Sequence, residues 1–335
     1  MTDNRHIRYL NALRVVATLF VVLIHTSSGG LTGISGNEWL AYGFYKYLGT
    51  WAVPVFVMIS GSLFLSSKNT SYRTLLSKYI RRIVLALILF GLPMCLCEAF
   101  ITGEGGVFSA VLNFLCGHSW AHMWYLYMLI GLYLLTPVVK PFVNQSSKRN
   151  VEVALLVLFV MSSLLPSLKK YGLPIDGWMM LPPYLFYYIL GYYMAHLESW
   201  KIKSWHCFLA FALFIVVNCF RMYVSISNSG NLLISDEYSK YYDVNTLIGA
   251  LAVFLLFKRL DIKWDFADRL RIYCFAIYII HPVFINLAYK FVKLHPSGLG
   301  SPWSSLPLFL VVFFAVSLFI SFLLNKIPWL RKYVL

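Results

Sequence analysis

Charge is scarce in this sequence: Asp, Glu, Lys and Arg make up only 12% of its 335 residues, about half the share found in a typical soluble domain. Set beside 60% hydrophobic and 18% aromatic residues, that scarcity excludes an ordinary soluble globule and makes a membrane protein the first reading. Cysteine is sparse too. Cys95, Cys97, Cys116, Cys207, Cys219 and Cys274 fall mostly inside apolar runs, and no paired CxxC occurs. Neither a disulfide framework nor a metal site is expected from them. There is no low-complexity linker and no polar stretch long enough for a second domain, so 1–335 reads as one unit. No internal repeat is visible, which weighs against a transporter built on inverted repeats.

What the chain does have is long apolar runs. Crossing about 30 Å of hydrocarbon takes about twenty apolar residues in a helix. Such runs fall near 9–28, 42–65, 79–100, 123–143, 151–168, 181–197, 205–224, 244–257, 272–292 and 304–325. An all-α polytopic protein with about ten transmembrane helices and both termini cytoplasmic is expected, the eighth span being short. The residues before 30 offer a basic start and an apolar core, as a cleaved leader would, but Arg14 abuts that core and His25 follows it. An uncleaved first helix fits better.

A net charge of +15 raises the question of nucleic acid, and the placement of the cations answers it. With both termini inside, all but seven of the 28 Lys and Arg lie in cytoplasmic loops, tails or adjoining helix ends. The exceptions are Lys46, Lys169, Lys170, Arg221, Lys240, Lys290 and Lys293. This is the positive-inside distribution. The basic balance reports orientation and contact with membrane lipids, and no nucleic-acid partner is expected.

Ionisable residues within apolar spans are costly and are candidates for function. In RYLNALRVVATLFVVLIHTS, Arg14 and His25 stand eleven residues apart, about 16 Å along a helix and within about 20° of one face. Each has a bland alternative, Arg14 as a snorkelling anchor and His25 as a hydrogen-bonded structural histidine. The patch Ser60, Gly61 and Ser62 in VPVFVMISGSLFL fits close helix packing, or room for a ligand. In SKYIRRIV, Lys78 and Arg82 form an i, i+4 pair with Arg81 beside them, a group suited to phosphate as well as to a helix end. The HMWYLY stretch places His122 beside Trp124; an aromatic belt explains the tryptophan but not the histidine. In FAIYIIHPVF, His281 follows Tyr278 by one turn on the same face. Glu98 either orients the His25 imidazole or is a solvated helix end.

Taken in order, R-x10-H, PVFVMISGSL, KYIRRI, HMWYL, FYYILGYY and IYIIHP resemble the membrane-bound acyltransferase 3 family. The likeness is nearest to the branch holding the enterobacterial common antigen O-acetyltransferase and related surface-polysaccharide O-acyltransferases. It covers about residues 8–290. The resemblance implies transfer of an acyl group, commonly acetyl from cytoplasmic acetyl-CoA, to a hydroxyl of a cell-surface or lipid-linked glycan, in a bacterial inner membrane. It implies a stand-alone type without the fused extracytoplasmic domain that many relatives carry. The family's arginine–histidine pair maps onto Arg14 and His25, its basic motif onto Lys78 and Arg82, its HLW-type motif onto His122 and Trp124, and its Y-x-x-H element onto Tyr278 and His281. Where the family's basic motif often runs on to a proline, Val84 and Leu85 stand here. On this reading Arg14, Lys78, Arg81 and Arg82 hold the phosphates of CoA, while His25, with Glu98 and His122 as further catalytic candidates, meets the thioester as general base or acyl carrier. The same scaffold transferring succinyl, or a polysaccharide or lipid-linked sugar exporter using the same residues, remains open at this point.

Overall fold

The computed structural model describes residues 3–29, 38–67, 71–102, 106–120, 122–170, 172–175, 177–196, 203–229, 241–260 and 264–335. Lys68, Lys201, Lys240 and Lys263, used above for orientation, lie outside the described residues.

The protein is an all-α polytopic membrane protein, with no strand among the described residues. Among the described residues, eight helices are long and apolar enough to cross a bilayer. In chain order the helices are α1 (Asp3–Gly29), α2 (Glu38–Leu48), α3 (Ala52–Ser66), α4 (Tyr72–Ile101), α5 (Gly106–Leu115) and α6 (Trp124–Gln145). Then follow α7 (Lys148–Lys170), α8 (Tyr184–His196), α9 (Ser204–Ser229), α10 (Val244–Leu260), α11 (Asp265–Leu270), α12 (Cys274–Val292), α13 (Pro302–Asn325) and α14 (Pro328–Tyr333). Helices α2 and α3 are separated only by a turn and act as one span over Glu38–Ser66. The runs at 181–197 and 244–257 become α8 and α10, of 13 and 17 residues. Helix α5 falls between the runs at 79–100 and 123–143, where no span was expected.

Large apolar side chains cover the outside, among them Phe100, Phe108, Leu115, Val138, Val311 and Phe319. In water such a surface would aggregate; against lipid tails it is the favourable arrangement. Serine caps start two of the long helices. Ser71 Oγ accepts from the Thr74 amide at 3.2 Å, and Ser147 Oγ accepts from the Asn150 amide at 3.2 Å.

Two compact units can be distinguished: Met1–Leu63 with Ser147–Phe319, and Phe64–Ser146 with Ile320–Leu335. In the first, α1 lies along α12. Ala12 and Val15 of α1, Ala267 of α11 and Cys274 of α12 pack together, and further along Val22 of α1 packs with Ile277, Ile285 and Tyr289 of α12 and Phe309 and Phe313 of α13. Polar residues of α1 are buried without loss because their hydroxyls bond carbonyls one turn back: Thr18 to Arg14 at 2.8 Å, Thr26 to Val22 at 2.8 Å and Ser27 to Leu23 at 2.7 Å. Helices α3 and α8 cross at backbone distance. A Cβ on Gly61 would stand 1.8 Å from the Tyr188 carbonyl oxygen, and one on Gly191 would stand 2.1 Å from that of Met58. The small-residue patch read at Gly61 is therefore a packing site.

A buried clasp joins the end of α7, the body of α9 and the segment that leads into α10. Asp243, wholly buried, pairs through Oδ2 with Lys170 Nζ at 3.0 Å and through Oδ1 with Arg221 Nη1 at 3.0 Å. It also accepts the Asn245 amide at 2.8 Å. Lys258 donates to the last carbonyls of α8, those of Met194 at 2.8 Å and Ala195 at 3.0 Å, as a cation at a helix C-terminus should.

In the second unit, α4 is irregular. Wide π-type turns occupy Leu75–Ile80 and Leu87–Gly91, with ordinary α-winding over Arg81–Ala86 between them. The basic motif straddles the first change of pitch. Such turns recur at functional sites.

Candidate active site

The side-by-side run of α1 and α12 brings two of the singled-out histidines together. The rings of His25 and His281 are 5.1 Å apart between centroids, tilted by 53°. His281 is wholly buried, whereas His25 keeps part of its surface open. Nδ1 of His281 lies 2.9 Å from the Ile277 carbonyl oxygen. A carbonyl only accepts, so Nδ1 is the donor in this contact. Tyr278 stands one turn before, its ring 6.3 Å from that of His281.

The clamp around this pair is specific. The Tyr289 hydroxyl donates to the Thr26 carbonyl at 2.9 Å, in the residue next to His25. On the same helix, Gly29 presents a surface so close to the Tyr289 ring that a Cβ would sit 3.0 Å from it. Pro282 follows His281 directly and removes one amide from the α12 ladder; Asn286 Nδ2 donates to its carbonyl at 2.8 Å.

Arg14 lies on α1, partly buried, near Cys274 at the start of α12. It shares the α1–α12 seam with His25 and His281. Ser60, on α3, turns its hydroxyl back to the Phe56 carbonyl at 3.0 Å.

Lys46 is a residue of this region that sequence reasoning passed over. It is buried on α2 and close enough to His25 to interact with it electrostatically. The reason is the approach of the α2 end to α1. Gly49, whose amide bonds the Lys46 carbonyl at 3.3 Å, lies so near α1 that a Cβ there would meet the Phe20 carbonyl oxygen at 2.9 Å. The only signal in the sequence is a lysine within an apolar, aromatic run, YGFYKYLGTW.

The remaining candidates belong to the second unit. His122 is buried just before α6, its ring 6.2 Å from that of Trp120, and Trp124 opens the helix against Tyr125 at 6.1 Å. Glu98 is exposed on α4. Lys78 and Arg81 are exposed and Arg82 is partly buried. Arg82 Nε donates to the Val334 carbonyl at 2.9 Å, and the Arg81 guanidinium stands 5.3 Å from the centre of the Tyr333 ring.

Chemically, the first unit offers an imidazole pair with a lysine nearby and an arginine along the same helix. That set can accept a proton from a hydroxyl and hold negative charge. The second unit offers a cluster of forked and point-charge donors suited to phosphate. A family model described as an acyltransferase domain matches residues 7–326. No curated protein and no solved structure matches the chain.

Proposed function

Because the chain belongs to that acyltransferase family, we propose that this membrane acyltransferase moves an acetyl group from cytoplasmic acetyl-CoA to a hydroxyl of a cell-surface or lipid-linked glycan, in a bacterial inner membrane. The observation that carries this reading is the pairing of His25 with His281.

His25, the more open of the two rings, is the general base. Its lone-pair nitrogen takes the proton of the acceptor hydroxyl as that oxygen attacks the thioester carbonyl. The carbon–sulfur bond breaks, CoA leaves as thiolate, and the proton passes to it. Such proton transfer is worth about 10²–10⁴-fold in rate. His281, held by Ile277, sets the orientation of its neighbour, and the Lys46 ammonium favours the negative charge that develops on the carbonyl oxygen. Within the first unit phosphate recognition is assigned to Arg14; Lys78, Arg81 and Arg82 form a phosphate-binding group of the second unit on its own. The motifs resemble the surface-polysaccharide branch, which supports a glycan acceptor and an acetyl donor.

The deciding experiment is the O-acetyl content of surface polysaccharides, by mass spectrometry, in cells lacking the protein. These are complemented at matched expression with the wild type, His25→Ala or Arg14→Ala. Acetylation is expected to return only with the wild type. A succinyl mass increment would change the donor. Unchanged acetyl content with less polysaccharide at the surface would sink acyl transfer and favour export.

A further inference from the structure

In the second unit, α14 and the two residues after it lie against the basic motif of α4. Val334 and Leu335 are buried, at 0% and 5% exposure. The Val334 carbonyl accepts from Arg82 Nε at 2.9 Å. The Tyr333 ring takes the Arg81 guanidinium at 5.3 Å on one hand and the Lys332 ammonium at 5.0 Å on the other. Lys78 in turn stands 5.4 Å from the ring of Tyr79.

Two features of this arrangement call for an explanation. First, it gathers like charges. Arg81 and Arg82 meet the segment that carries Arg331 and Lys332, Lys78 lies one turn before them, and neither residues 71–97 nor residues 326–335 contain an Asp or Glu side chain. The contacts that link the two segments are an aromatic ring, Tyr333 on Arg81, and a backbone carbonyl, that of Val334 on Arg82. Second, the segment acts on side-chain freedom. Arginine is a long rotamer-rich side chain, and a bound anion must order it. One hydrogen bond at Nε and one ring face remove much of that freedom beforehand, so less is lost when a phosphate arrives.

We propose that the segment 328–335 is a working part of the anion site at the start of α4: it presets Arg81 and Arg82 and adds Arg331 and Lys332, so that binding of a phosphate-rich acyl-CoA donor depends on it. This rests on the acyl-transfer reading above and extends it to residues that no motif includes. The segment positions donors and takes no part in bond making, so its loss changes donor affinity and leaves the chemical step alone.

The test uses the purified full-length protein in neutral detergent, with acetyl-CoA as the probe in both calorimetric binding and turnover. The variants are Tyr333→Ala and the double change Arg331→Gln with Lys332→Gln; the second leaves the buried Val334 and Leu335 in place, so it reports even where the first fails to fold. The expected result is a KM and Kd for acetyl-CoA raised about tenfold, with kcat and thermal stability held within about twofold. Unchanged KM in folded variants overturns the proposal. So does tighter binding, which would make the segment a competitor of the donor. A loss confined to binding of vesicles containing anionic phospholipid, with acetyl-CoA affinity intact, overturns it in favour of a lipid anchor. If the wild type itself binds no acetyl-CoA, the acyl-transfer reading falls as well, a result distinct from equal binding by wild type and variants.

Discussion

Asp243 is wholly buried between Lys170 and Arg221, two of the seven cations that break the positive-inside pattern. One carboxylate facing two cations explains why those two are tolerated: they are tied into the protein. Breaking such a group from one side is costly, because it strands a buried charge. Asp243→Ala is therefore expected to lower stability by about 3–5 kcal/mol, seen as a lower unfolding temperature in detergent or as loss of folded protein. An unchanged unfolding temperature would mean that water already screens the cluster. At this same scale, the candidate site was only partly readable from the sequence. Arg14, His25 and His281 stand out because an ionisable residue in an apolar run is conspicuous. Their pairing does not, since no local pattern says which faces of distant helices will meet. Lys46 was counted among the outward cations, for a lysine flanked by Tyr45 and Tyr47 resembles an interfacial anchor; the close approach of Gly49 to α1 buries it instead.

Among the elements, α3 and α8 show what sets the spacing of the first unit. Gly61 and Gly191 lie where the two helices touch through backbone atoms, with Tyr188 and Met58 opposite. Adding a methyl at either place forces the helices apart, since the atoms met are carbonyl oxygens with no rotamer to yield. Gly61→Ala and Gly191→Ala should each leave little folded protein on size-exclusion chromatography. Gly131→Ala is the control, a helical glycine with nothing within 4 Å of the place a Cβ would take, and it should run as the wild type, helix propensity favouring Ala over Gly. Normal elution of the first two variants would show that the contact can relax. The long helices were readable because each is an apolar run of sufficient length. Helix α5 was not, because its ten residues fall below the length of a span and resemble an apolar loop. The π-type turns of α4, α7 and α12 leave no mark in hydropathy, since one extra residue in a turn changes the facing of side chains and not their composition.

For the molecule as a whole, the division into two units is invisible in composition. Each unit is assembled from separate stretches of chain; two of the three boundaries fall inside α3 and α13 and the third in the short turn between α6 and α7, so no long linker marks them. Orientation is a different matter, because the cation distribution speaks to it directly, and a single helix suffices to test it. Helix α7 runs from Lys148 to Lys170, 23 residues, about 34 Å at 1.5 Å per residue, enough to cross about 30 Å of hydrocarbon. Arg149 is exposed at its start, and Trp178, 65% exposed, lies shortly after its end. All six cysteines are free thiols, so single-cysteine variants need a background in which they are replaced. With both termini cytoplasmic, Trp178→Cys should react with a membrane-impermeant maleimide in spheroplasts, and Arg149→Cys only after permeabilisation. The reverse pattern would invert the protein, turn the basic motif of α4 away from cytoplasmic acetyl-CoA and remove the donor from the proposed reaction. Labelling of both from outside would mean that α7 does not span, whatever its hydropathy.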